Sequence, residues 1–176
     1  MEKEKDGRLL VLTGDGKGKS TSAFGMAMRA VGWNQKVCII QFLKKSTRKT
    51  GEQFAAQRLG IEWHTLGDGF TWNSPNLERD KTTSQNIWKL CREKILSDQY
   101  NLLILDEINT VLSWEWLPVS EIIACLKQEK PPRLHIIFTG RNAPAELIAV
   151  SDTVTEMISV KHAFQQGVRA TKGIEL

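Results

Sequence analysis

The chain has 176 residues, of which 41% are hydrophobic and 25% charged, and a formal net charge of +4 at pH 7. That length suits a single domain spanning residues 1–176 with one core, and the composition is that of a soluble globular protein. No apolar run approaches the ~20 residues of a membrane span, and the charged start Met1-Glu2-Lys3-Glu4-Lys5-Asp6 lacks the apolar stretch of a secretion signal, so a cytoplasmic protein with no membrane partner is expected. Part of the positive charge sits in a single loop, so nucleic acid is not required as a partner. Cys38, Cys91 and Cys125 are scattered and form no C-x-x-C pair, which predicts buried reduced thiols.

The first predicted strand, Leu9 to Thr13, breaks into Gly14-Asp15-Gly16-Lys17-Gly18-Lys19-Ser20-Thr21 and a helix from Ser20 to Val31. A Gly-rich turn that opens a helix points backbone N–H groups into one concavity, where the helix N-terminus adds positive potential. Gly14 to Thr21 are therefore the candidate nucleotide-binding residues. Lys19 is placed to neutralise phosphate, and the Ser20 hydroxyl to hold Mg²⁺. The spacing is not that of the ordinary loop G-x-x-x-x-G-K-[ST], because Thr13 stands where the first glycine belongs.

A second strand, Lys36 to Phe42, leads to the basic cluster Lys44 to Lys49, which either faces phosphates or forms a solvated loop. A helix is predicted over Gly51 to Leu59. The segment Gly67-Asp68-Gly69-Phe70-Thr71-Trp72-Asn73 then sets two aromatics where neither helix nor strand fits; they cover the core or offer a platform to a large planar ligand. A helix over Leu77 to Leu96 precedes the strand Leu102 to Asp106. Its terminal pair Asp106-Glu107 is the carboxylate arrangement with which P-loop proteins hold Mg²⁺ or its water shell.

Helix Val119 to Gln128 ends before Pro131-Pro132, which launches the strand Leu134 to Thr139. That strand delivers Arg141 to the crevice side of the sheet, either to phosphate or to a surface ion pair, and a helix from Ala143 to Val150 follows. Strands alternating with helices predict a doubly wound α/β fold, a mostly parallel sheet with helices on both faces. The loop and Asp106-Glu107 alone would also suit a P-loop ATPase or small-molecule kinase, or a nucleotide-dependent nucleic-acid module.

Gly14 to Thr21, Gly69-Phe70-Thr71-Trp72, Leu105-Asp106-Glu107, Thr139-Gly140-Arg141 and Val160-Lys161-His162-Ala163-Phe164 together resemble the ATP:corrinoid adenosyltransferases. Phe24-Gly25, Arg29-Ala30-Val31-Gly32, Gln41-Phe42 and Gly51-Glu52 are similar to that family too, so the likeness runs nearly the whole chain in order. It implies a RecA-like P-loop NTPase fold, a homodimer, a flavoprotein-type reductase as electron donor, and transfer of the 5′-deoxyadenosyl group of ATP to the cobalt of a reduced corrinoid. The loop would hold ATP in a reversed sense, so that triphosphate leaves.

By the same resemblance Phe70 and Trp72 contact the corrin and keep an axial ligand off cobalt, and with Lys19 they are the residues assigned to catalysis. Cob(I) is a strong nucleophile with no proton to lose, so no general base or nucleophilic side chain is expected, and His64, His135 and His162 receive no role. Many family members carry a longer N-terminal extension that covers the corrinoid, whereas Met1 to Gly7 alone precede the first strand here, so a lid of that origin is not expected. Asp15 stands where asparagine is common and opposes phosphate unless Lys17 or the metal offsets it.

Overall fold

The computed structural model describes residues 7–45, 47, 49–67, 69 and 76–175. Strands β1 (Leu9–Thr13), β2 (Val37–Lys45), β3 (Glu62–Gly67), β4 (Leu102–Asp106), β5 (His135–Thr139) and β6 (Thr153–Glu156) form one parallel sheet in the order β3-β2-β4-β5-β1-β6. Helices α1 (Lys19–Gly32), α2 (Gly51–Arg58), α3 (Leu77–Leu96), α4 (Ile108–Ser113), α5 (Val119–Gln128) and α6 (Ala145–Val150) cover its two faces.

Continuous apolar runs become strands buried on both sides because alternate residues then feed two cores. On one face Val11, Ile40, Leu103, Leu105 and Phe138 pack with Ile87 and Cys91 of α3, Val111 of α4, Ile122 of α5 and Leu147 of α6. On the other, Leu12, Ile39, Ile104 and Ile137 meet Ala23, Phe24 and Ala27 of α1 and Ala56 of α2. The fold is the expected α/β arrangement, and all three cysteines are buried free thiols.

The four anticipated strands are present, and α3 and α5 have the expected limits. Both sheet edges add a strand that the sequence pattern conceals. β3 reads Glu-Trp-His-Thr-Leu-Gly and is only half-buried, while β6 reads Thr-Val-Thr-Glu and is exposed throughout, so neither shows an apolar run. β2 extends to Lys45, which places Lys44 and Lys45 in the strand rather than in a loop beyond it. Ser46 and Arg48 of that basic cluster lie outside the described residues.

Strand β3 is clasped to α3. The Glu62 carboxylate accepts from Lys94 Nζ at 2.6 Å, sits 2.7 Å from His64 Nε2 and accepts from the Tyr100 hydroxyl. Burial works against the charge, but these hydrogen bonds outweigh it and hold the carboxyl down at about 2. Cys38, Glu62 and His64 bring ligand-type atoms within 4.8 Å of one another. Lys94 already neutralises that carboxylate, and burial pushes the Cys38 thiol up to about 12, so the cluster fastens an edge strand.

Candidate nucleotide and metal site

The phosphate loop leaves β1 at Thr13 and enters α1 at Lys19. Thr13 is buried, and its hydroxyl accepts from the Ala143 N–H at 3.1 Å, tying the end of β1 to the segment after β5. The displaced first glycine thus has a structural counterpart, since the position is a strand end that uses its side chain.

The exit of β6 backs the loop. Gly16 N–H donates to Met157 O at 2.6 Å, and Met157 N–H donates to Thr13 O at 2.8 Å. A β-carbon on Gly14, whose φ is +92°, would lie 2.5 Å from Met157 O, and one on Gly16 would lie 2.7 Å from the same carbonyl. The close approach therefore demands glycine at both positions.

Lys19 is 8% exposed and donates from Nζ to Gly16 O at 2.7 Å, folding the ammonium over the loop's own turn. Burial lowers its pKa, a shift that Arg141 reinforces and that Glu107, Asp15 and Asp106 oppose. Ser20 and Thr21 follow in the first turn of α1. Lys17 turns the other way, with Nζ 3.0 Å from Glu175 Oε1. Arg141 Nε lies 3.7 Å from Asp15 Oδ1, so arginine, and not Lys17, is the cation beside Asp15.

Asp106 is wholly buried at the end of β4. Its Oδ1 accepts from Thr139 Oγ1 at 2.8 Å and its Oδ2 from Gln41 Nε2 at 2.8 Å, with Lys44 Nζ 3.8 Å from Oδ2. Glu107 takes a left-handed backbone (φ 68°), a conformation costing a non-glycine residue of order 1–3 kcal/mol. Its N–H donates to Thr139 Oγ1 at 3.0 Å and its Oε2 accepts from Thr110 Oγ1 at 2.8 Å, so Thr139 links the Asp106 carboxylate to the Glu107 backbone while Thr110 holds the Glu107 carboxylate. Burial and then the neighbouring Asp106 charge raise the Glu107 pKa.

Asn109 completes the floor. Nδ2 donates to Leu12 O at 3.3 Å and Gly140 O at 3.4 Å, bridging the ends of β1 and β5, and Oδ1 is buried without a partner. Hard oxygen donors from Ser20, Asp106 and Glu107 are of the kind Mg²⁺ prefers. Gln41 and Thr139 were named from the sequence only within family-like motifs and without a role, and Asn109, Thr110 and Met157 were not singled out. Gln41 alone carried a signal, as an amide in an otherwise apolar strand. Phe70 and Trp72 lie outside the described residues.

A Gly-rich loop between a central parallel strand and a helix, with paired carboxylates at a nearby strand end, defines a P-loop nucleotide-binding protein. Solved structures agree on the fold. The flagellar accessory protein FlaH from Methanocaldococcus jannaschii superposes with a TM-score of 0.59 at 12% identity, over 86% of this chain and 71% of that one. The cytoplasmic domain of EssC does so with a TM-score of 0.53 at 14% identity, over 98% of this chain and 35% of that one.

Sequence narrows the class to a family. The chain belongs to the ATP:corrinoid adenosyltransferase BtuR/CobO/CobP family, whose profile matches residues 5–176. It is 39% identical to a corrinoid adenosyltransferase of Pseudomonas aeruginosa, over 98% of this chain and 85% of that protein. A corrinoid adenosyltransferase of Sinorhizobium sp is 37% identical over 98% and 81% of the two chains, and one of Escherichia coli strain K12 is 36% identical over 98% and 87%.

Proposed function

We propose that this chain transfers the 5′-deoxyadenosyl group of ATP to the cobalt of a reduced corrinoid (a cob(I)yrinic acid diamide, cobinamide or cobalamin) and releases triphosphate. The observation that carries this reading is the family match over residues 5–176. The site chemistry supports it. Alkylation of cob(I) forms a carbon–cobalt bond and breaks the bond from the ribose 5′ carbon to oxygen, with the electron pair of that bond leaving on triphosphate. Such a displacement requires alignment and charge stabilisation but no proton transfer.

The described imidazoles are engaged elsewhere: His64 beside Glu62, His135 as acceptor for the Arg8 N–H, and His162 as acceptor for the Phe164 N–H. The three thiols are buried. Backbone N–H groups of Gly14 to Lys19 other than that of Gly16, which is given to Met157 O, together with the Lys19 ammonium and Arg141, are the groups we assign to the departing triphosphate. Ser20, Glu107 and Asp106 would hold Mg²⁺, which when bound offsets phosphate charge. Phe70 and Trp72 are assigned to the corrin face. A homodimer and a flavoprotein-type donor that reduces cob(II) complete the proposal. No helix among the described residues is long and apolar enough to cross a membrane.

The test is product analysis. ATP, Mg²⁺ and chemically reduced cobalamin or cobinamide should yield triphosphate and a light-sensitive alkyl-cobalt product in equal amounts. ADP as the main nucleotide product would overturn the assignment.

A further inference from the structure

A row of polar side chains crosses adjacent strands just below the phosphate loop. Thr65 of β3 pairs in register with Gln41 of β2, and Gln41 pairs with Asp106 of β4. The next strand, β5, supplies Thr139. All lie on the α1 side of the sheet, in line with the apolar core positions Ile39, Ile104 and Ile137 of the same strands.

The hydrogen bonds in this row converge on Asp106 from both sides. Gln53 Nε2 donates to Thr65 Oγ1 at 2.6 Å, Thr65 Oγ1 to Gln41 Oε1 at 3.0 Å, and Gln41 Nε2 to Asp106 Oδ2 at 2.8 Å. From the other side the Glu107 N–H donates to Thr139 Oγ1 at 3.0 Å, and Thr139 Oγ1 to Asp106 Oδ1 at 2.8 Å. Trp63 Nε1 gives a second donor to Gln41 Oε1 at 3.1 Å. Two donors on Oε1 fix which way the Gln41 amide points, and a carboxylate can only accept, so the flipped amide would present oxygen to oxygen. Gln41 is 1% exposed, so such a flip would leave buried polar atoms unpaired.

We infer that Gln41 is a positioning residue for the metal-side carboxylate, fixing the Asp106 rotamer through an amide that Trp63 and Thr65 orient. The inference rests on the metal assignment made above. It adds that Asp106, with one donor already on each oxygen, is held rigid before nucleotide arrives, so that the metal is met by a preset acceptor. Groups that orient a ligand in this way set metal affinity without touching the metal.

The experiment measures ATP affinity by calorimetry, without corrinoid, at a series of Mg²⁺ concentrations. In Gln41→Met, which keeps length and loses the donor, half-saturating Mg²⁺ should rise about tenfold, as expected for loss of one hydrogen bond to a charged group. ATP affinity without metal should stay within twofold of wild type. Trp63→Phe and Thr65→Val each leave one donor on Oε1 and should shift the Mg²⁺ curve in the same direction by a smaller factor; they decide the matter if Gln41→Met does not fold. An unchanged Mg²⁺ curve in folded variants, or an equal loss of ATP affinity with and without metal, overturns the inference and leaves the proposed function standing. A wild-type affinity indifferent to Mg²⁺ removes the metal assignment and this inference with it.

Discussion

Lys19→Met isolates the phosphate role of the loop from its role in the fold. Lys19 is 8% exposed and its ammonium is held 2.7 Å from Gly16 O, already over the concavity where phosphate oxygens would lie. A hydrogen bond to a charged partner in such a place contributes roughly 1.5–3 kcal/mol, equivalent to a loss of roughly 10- to 150-fold in ATP affinity. The effect on folding is much smaller. The substitution removes one bond to a carbonyl, worth about 1 kcal/mol, but it also relieves the desolvation that lowers the lysine pKa. The melting temperature should therefore move by no more than about 4 °C. Calorimetric titration with ATP, paired with thermal unfolding, reads both quantities. A folded Lys19→Met protein that binds ATP within twofold of wild type would refute the assignment of this lysine to triphosphate.

Phe70→Ala and Trp72→Ala should slow turnover from cob(II) with a reductase far more than turnover from pre-reduced cob(I), because removing the axial donor is what eases reduction; equal losses would contradict their assignment to the corrin face. Glu62→Gln should lower stability at pH 7. The Glu62 carboxyl lies at about 2 against an ordinary 4.5, but the side chain is 33% exposed, so after screening the clasp contributes about 1–2 kcal/mol. A depressed acid stabilises fully above its unfolded pKa and loses that contribution as pH falls through its folded one. The gap between wild type and Glu62→Gln in denaturant titrations should thus hold above about pH 4.5 and close towards pH 2, and a pH-independent gap would contradict the clasp.

The central strands were legible because burial on both faces leaves a long apolar signature, as in Leu9 to Thr13 and Leu102 to Asp106. β6 was not, since a four-residue edge strand with every side chain exposed has no such constraint. α4 was missed for a related reason: it is six residues long and begins at the left-handed Glu107, whose backbone is set by Thr139 from another strand. Glycine spacing and the acid pair pointed to the proposed phosphate and metal ends of the site, since those assignments rest on residue type and local sequence. Thr139 and Gln41 act through register between strands distant in the chain, and Met157 through the approach of an edge strand to Gly14 and Gly16. No local pattern encodes those relations. Lys17 shows the converse case: its place in the loop suggested phosphate, and its side chain pairs with Glu175.

In the proposed reaction the bond broken in ATP is the one between the ribose 5′ carbon and its oxygen. ATP carrying ¹⁸O at that bridging oxygen, turned over with pre-reduced cobalamin, tests it directly by mass spectrometry of the products. The label should appear wholly in triphosphate. Label retained on the nucleoside, with a phosphate chain shortened by one unit, would mean phosphoryl transfer and contradict the account.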